Sequence, residues 1–155
     1  MSEIKYTSLN DLLVRNPQLI DLIKDKYLLL LSDLTSTSYL ETNLFVKNIE
    51  RISNMGTIIV GVINNSSSFE IIASGTIIIE PKIIREGRNV GHIEDIVVSK
   101  EMRGKGICQK ILDMLKLIAR EKNCYKVILY CNEYVKKVCI KNGLSVNGIQ
   151  MAEYF

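Results

Sequence analysis

Two places in the sequence combine residue types at a spacing that can do chemistry. The first is Arg103-Gly104-Lys105-Gly106-Ile107-Cys108. Glycines one residue apart let a backbone approach a ligand closely and turn its N–H groups outward. A helix starting there adds unpaired N–H donors and partial positive charge. Arg103 and Lys105 add full charges, and a pyrophosphate needs that many donors at short range. A lone G-x-G is more often a plain strand-to-helix turn. Here the flanking cations, with a strand before and an amphipathic helix after, favour phosphate. The run is not a Walker A loop, and Gln109 breaks a G-x-G-x-x-G reading. The second place is Glu94-Asp95, adjacent acids in a strand otherwise made of Ile and Val. Successive strand residues point to opposite faces, so both acids reach solvent only across a bulge. Otherwise one is solvated and the other is a paired structural acid. A carboxylate beside an amine can orient it or relay its proton through water.

Other chemistries are disfavoured. The cysteines are Cys108, Cys124, Cys131 and Cys139, without a C-x-x-C pair, and His92 is the single histidine, so no metal is expected. The +3 formal charge over 155 residues is too small to argue for nucleic acid. No apolar run reaches membrane-spanning length, and Leu28–Leu31 is far too short. The first residues lack a basic-then-apolar signal layout, so a cytoplasmic protein with free thiols is expected. With 47% hydrophobic and 24% charged residues, the chain reads as one globular domain over 1–155.

The elements that must position these residues follow from periodicity. Ile4–Leu9 reads as a strand. Asn16-Pro17 reads as an N-cap with proline at the first helical position, opening a helix near 17–33. Ser38 and Glu41 fit a capping box for a second helix. Thr57–Ile63 and Ile71–Glu80 form a hairpin around the Asn64–Ser68 turn, Pro81 stops the second strand, and Lys82–Asn89 is a loop. Val90–Val98 is a strand, Gly104–Lys122 a helix, Tyr125–Cys131 a strand and Val135–Asn142 a short helix ended by Gly143. Leu144–Met151 reads as a last strand. The order implies an α/β protein with a mixed sheet and a crossover in the C-terminal half.

The cradle resembles the Q/R-x-x-G-x-G/A motif of the GNAT acetyltransferases, with Cys108 at the final small position. Within that superfamily Glu94-Asp95-Ile96-Val97-Val98, Asn123-Cys124-Tyr125-Lys126, Leu34-Thr35 and Glu80–Arg85 are similar, in order and spacing, to segments of glucosamine-6-phosphate N-acetyltransferases. The likeness runs from Asp25 to Met151. It implies the GNAT fold, a mixed, mostly antiparallel central sheet flanked by helices. It implies a homodimer with sites completed at the interface, and acetyl transfer from acetyl-CoA to an amino sugar phosphate. Arg103, Gly104, Lys105, Gly106, Ile107 and Cys108 are implied to hold the acetyl-CoA pyrophosphate, Ile96, Val97 and Val98 the pantetheine arm and thioester, and Asn132 to lie beside CoA. Glu94 and Asp95 are implied to bind the sugar, with Asp95 nearest the amine. Thr35, Lys82, Arg85, Tyr125 and Lys126 are implied as further substrate contacts, with a partner subunit as an open source of the last two. His92 is expected to be structural.

The pattern breaks in the short helix. The family's N-V-x-F-Y run corresponds to Val135-Lys136-Lys137-Val138-Cys139, so Cys139 stands where a tyrosine protonates the departing thiolate. A thiol's ordinary pKa of about 8.5 lies below tyrosine's about 10, so Cys139 can itself donate. Two alternatives stay open: an acetyltransferase for another amine, and a noncatalytic acyl-CoA-binding module.

Overall fold

In a computed structural model describing residues 3–155, the chain opens with β1 (Lys5–Ser8) and passes directly into α1 (Leu9–Arg15). Ser8 Oγ accepts the Asp11 amide at 3.0 Å, a side-chain cap at the helix start. The sequence reading had no helix here. Asn16 does not cap forward. Its Nδ2 donates back to Leu12 O at 2.8 Å, and Pro17–Leu19 forms a 3-10 turn before α2 (Ile20–Leu31). The expected 17–33 helix is therefore shorter at both ends. The Ser38–Glu41 capping box does not form. Glu41 precedes α3 (Thr42–Ser53) without a side-chain cap, and its carboxylate accepts from Asn43 Nδ2 at 3.1 Å instead.

β2 (Gly56–Asn64) and β3 (Phe69–Pro81) make the expected hairpin. Asn65 Oδ1 accepts the amides of Ser67 and Ser68 at 3.0 and 2.9 Å, fixing its turn. β4 (Asn89–Val98), α4 (Ile107–Glu121), β5 (Cys124–Leu129) and α5 (Glu133–Lys141) follow. The sheet order is β1-β2-β3-β4-β5, antiparallel except for the parallel β4–β5 pair, which α4 connects as a crossover. Alternation along β2 splits the core. Ile58, Val60 and Val62 pack under α1, α2 and α3, while Ile59 joins the core under α4. Gly75 of β3 sits under α4: a Cβ there would lie 2.5 Å from Ile96 Cδ1 and 2.6 Å from Ile111 Cγ2. This close approach seats α4, and with it the loop at its N-terminus.

The expected strand Leu144–Met151 is not a strand. Gly143, at φ 81°, ends α5, with its N–H on Ile140 O (2.9 Å) and the Leu144 N–H on Cys139 O (3.1 Å). The segment beyond makes no strand pairing among the described residues and leaves Val146, Ile149, Met151 and Tyr154 exposed. An alternating pattern makes a strand only when a neighbouring strand supplies the ladder bonds. No helix among the described residues is long and apolar enough to cross a membrane.

Candidate active site

The two acids lie on a bulge. Thr76 of β3 pairs with Glu94, and Ser74 pairs with Val97, so Gly75 faces two residues of β4, Asp95 and Ile96. Asp95 takes φ 52°, a conformation Asp tolerates better than bulkier residues. The bulge frees both acids from strict alternation, and both are exposed. They border a cleft of ≈ 320 Å³ whose other walls include Tyr27, Leu28, Leu31, Leu40 and Thr76. Tyr27 is buried, and its hydroxyl oxygen accepts from Ser74 Oγ at 3.3 Å. Burial, with Asp95's charge adding to it, pushes Tyr27 up to about 12, so it stays a neutral phenol.

Beside the bulge the sheet opens. β5 pairs with β4 only as far as Ile93↔Leu129, so among the described residues no strand lies beside 94–98 on that side. Ile96, Val97 and Val98 therefore border a gap rather than a ladder. Arg103 reaches back across it, its Nε donating to Val98 O at 3.1 Å.

The cradle follows. Gly104 and Gly106 have φ 75° and 77°, and nothing lies within 4 Å of a Cβ placed on either. Gly106 precedes α4 with no side-chain cap, so first-turn amides of α4 point outward. Arg103 and Lys105 are exposed, while Ile107 is buried and anchors the helix. No acid stands in the first turn of α4. Open space, outward amides and cations fit a pyrophosphate.

One contributor has no local signal in the sequence. Asp33, just after α2, accepts the Lys100 amide on Oδ2 at 3.2 Å and pairs with Lys100 Nζ through Oδ1 at 3.3 Å. Burial raises its pKa, but the hydrogen bonds from Lys100 and the charges of Lys100 and Arg103 prevail and hold it below the usual carboxylate value. Thr35, two residues on, is exposed in the same loop.

A second cluster forms elsewhere. The Arg85 guanidinium lies 5.7 Å from the Tyr125 ring centre, and Lys126 Nζ lies 5.6 Å from it. Lys82 is bound to Glu80, which also takes His92 Nε2 at 2.6 Å. The Lys82 hydrogen bond, then that of His92, lowers the Glu80 pKa. This cluster sits at the other end of β4, where Val90 pairs with Glu80 on one side and Lys126 on the other. Val90 and Asp95 are five residues apart, ~16 Å at ~3.3 Å per residue. A single chain thus gathers Thr35, Glu94, Asp95, residues 96–98 and the cradle at one end of β4, and leaves Lys82, Arg85, Tyr125 and Lys126 at the other.

The thiols meet near the open edge. Cys139 on α5 lies close to Cys131, with Cys108 also acting on its thiol. Burial first, then Cys131, pushes the Cys139 thiol up to about 11. Asn132, expected beside CoA, caps α5 through Oδ1, which accepts the Val135 amide at 3.2 Å. Tyr134 is 93% exposed and stands apart from this group.

Comparison with known proteins agrees with this geometry. The family model described as Acetyltransferase (GNAT) family matches residues 19–140. The chain is 36% identical over 137 residues, 86% of its length and 92% of the relative's, to glucosamine 6-phosphate N-acetyltransferase of Arabidopsis thaliana. It is 31% identical over 143 residues to glucosamine 6-phosphate N-acetyltransferase 1 of Oryza sativa, covering 92% of this chain and 86% of that one. The crystal structure of the Arabidopsis thaliana enzyme superposes with a TM-score of 0.84 at 31% identity, covering 99% of both chains. A Trypanosoma brucei acetyltransferase superposes with a TM-score of 0.82 at 29% identity, covering 99% of this chain and 100% of that one. With an opened β4 edge, a bulged acid pair and a two-glycine cradle on that fold, the chain belongs to the GNAT acetyltransferase family, among the glucosamine 6-phosphate N-acetyltransferases.

Proposed function

We propose that this chain is a single acetyltransferase domain that moves the acetyl group of acetyl-CoA to the amine of D-glucosamine 6-phosphate. The products are N-acetylglucosamine 6-phosphate and CoA, formed by direct attack in a ternary complex. The observation that carries this is the bulge at Asp95, which sets an exposed acid beside an unpaired strand edge and next to the cradle. In that arrangement Arg103, Lys105 and the amides from Gly104 to Cys108 hold the pyrophosphate. The free backbone at Ile96, Val97 and Val98 receives the pantetheine arm, and its amides stabilise negative charge on the thioester oxygen. Glu94 and Thr35 bind sugar hydroxyls. Asp95 orients the amine and accepts its proton, directly or through water, as the C–N bond forms. Cys139, protonated at neutral pH, returns a proton to the sulfur as the C–S bond breaks.

Lys82, Arg85, Tyr125 and Lys126 are suited to a sugar phosphate, yet they lie ~16 Å from Asp95 along the strand. A homodimer resolves the separation if one subunit's basic cluster faces its partner's acid pair. The exposed apolar segment after Gly143 supplies surface for such an interface. A cytoplasmic setting suits both substrates and the free cysteines.

The test is an acceptor panel read by product mass: glucosamine 6-phosphate, a polyamine and a peptide amine, each with acetyl-CoA. Acetylated sugar phosphate alone is expected. An acetylated polyamine or peptide with untouched sugar phosphate would reassign the acceptor. Acetyl-CoA binding without any product would leave a noncatalytic acyl-CoA module.

A further inference from the structure

We infer that Asp33 is a positioning residue that ties the acceptor-side loop to the phosphate cradle, so that filling one half of the site orders the other. The inference rests on the site assignments proposed above. The loop from Asp33 to Glu41 joins α2 to α3 and carries Thr35. Its first turn is held by the amides of Leu34 and Thr35 on Leu31 O, both near 3 Å (3.0 and 3.1 Å). Among the described residues, no backbone hydrogen bond holds 36–40. The Asp33 side chain is only 19% exposed and faces Lys100, 67 residues away in sequence. Each carboxylate oxygen meets its own donor on Lys100, one the backbone amide and the other Nζ. Two donors on one residue fix the orientation of the carboxylate, which a single flexible ion pair does not.

Lys100 opens the 3-10 turn Lys100–Met102, and that turn leads into Arg103 and the cradle. Asp33 therefore caps, from another part of the chain, the turn that aims Arg103. Arg103 stands on the same tie from the other side, through its charge on Asp33 and its bond to Val98 O. A ligand that immobilises Arg103 immobilises Lys100, and through Asp33 the start of the Thr35 loop. Coupling of this kind is reciprocal, so sugar bound against Thr35 tightens the cradle by the same factor.

Amide hydrogen exchange on the full chain, with and without acetyl-CoA, tests this. In the unmodified protein acetyl-CoA is expected to slow exchange both at 98–108 and at 34–41. In Asp33→Ala the slowing should remain at 98–108 and vanish at 34–41, with acetyl-CoA binding weakened roughly fivefold, the size of one partly exposed hydrogen-bonded pair. Asp33→Asn keeps an oxygen for the Lys100 amide and Lys100→Met keeps the amide itself, so both should retain part of the slowing. Equal slowing at 34–41 in Asp33→Ala overturns the tie, as does a protected cradle with an unaffected 34–41 in the unmodified protein. In both cases the proposed activity stands. A cradle that acetyl-CoA does not protect removes the tie and the proposed activity together.

Discussion

Cys139 is where the residue chemistry departs furthest from the pattern this chain resembles. A surface thiol is partly ionised near neutral pH, but burial and the neighbouring Cys131 hold Cys139 protonated up to about 11. That puts the thiol above, not below, a phenol's ordinary value of about 10, so the acidity advantage expected of a thiol at this position is lost and Cys139 is a weaker acid than the tyrosine it replaces. Cys139→Ala should lower kcat severalfold with little change in acetyl-CoA affinity, because thiolate already leaves well; Cys139→Tyr should restore it. Turnover unchanged in both, by steady-state kinetics, removes the acid role. The same shift makes a stability prediction. The folded state keeps a proton that the unfolded chain loses from about pH 9, so this contribution is intact below that pH. It should be lost as pH rises toward 11, and Cys139→Ala should flatten that alkaline decline in a denaturant titration. At Asp95, Asn keeps size and polarity but cannot take a proton. Asp95→Asn should cut kcat by about 100-fold or more while leaving acetyl-CoA binding unchanged by calorimetry. Glu94 and Asp95 were legible as a pair because two acids interrupt an apolar strand. Asp33 was not, because its meaning lies in a partner far along the chain.

Elements were read well where periodicity is strong and poorly where caps decide. β2, β3, β4, α4 and β5 carry clear patterns, and each forms within a few residues of its expected bounds. α1 was missed because seven residues give less than two turns of pattern, and only Ser8 marks its start. The Ser38–Glu41 box failed because α3 starts only at Thr42, which puts Glu41 at the N-cap and Ser38 outside the helix. Two glycines test how the elements set the site. Gly75→Ala pushes a methyl into Ile96 and Ile111, beneath α4 and the bulge. Overpacking of this kind costs about 1–3 kcal/mol, to be read as a lowered thermal midpoint. Gly106→Ala meets no neighbour within 4 Å, but it places a side chain at φ 77° in the proposed pyrophosphate site. It should cost about 1 kcal/mol in stability and weaken acetyl-CoA binding more than tenfold.

At the scale of the whole molecule, the sheet sorts the site residues to two ends of β4. The sequence names both groups but not the distance between them, since spacing along a chain says little about separation across a fold. The segment after Gly143 belongs to this scale too. Its pattern reads as a strand, and its apolar residues are exposed in one chain, a surface that the proposed dimer would cover. Ending the chain after Gly143 should shift the mass seen by light scattering from dimer to monomer. Arg85→Ala should raise KM for the sugar phosphate with little effect on kcat. The most direct test of the central claim is the rate of acetylation of glucosamine 6-phosphate against unphosphorylated glucosamine, with acetyl-CoA and product detected by mass. The account predicts N-acetylglucosamine 6-phosphate at a rate well above that for glucosamine; no acetylated product from either sugar would contradict it.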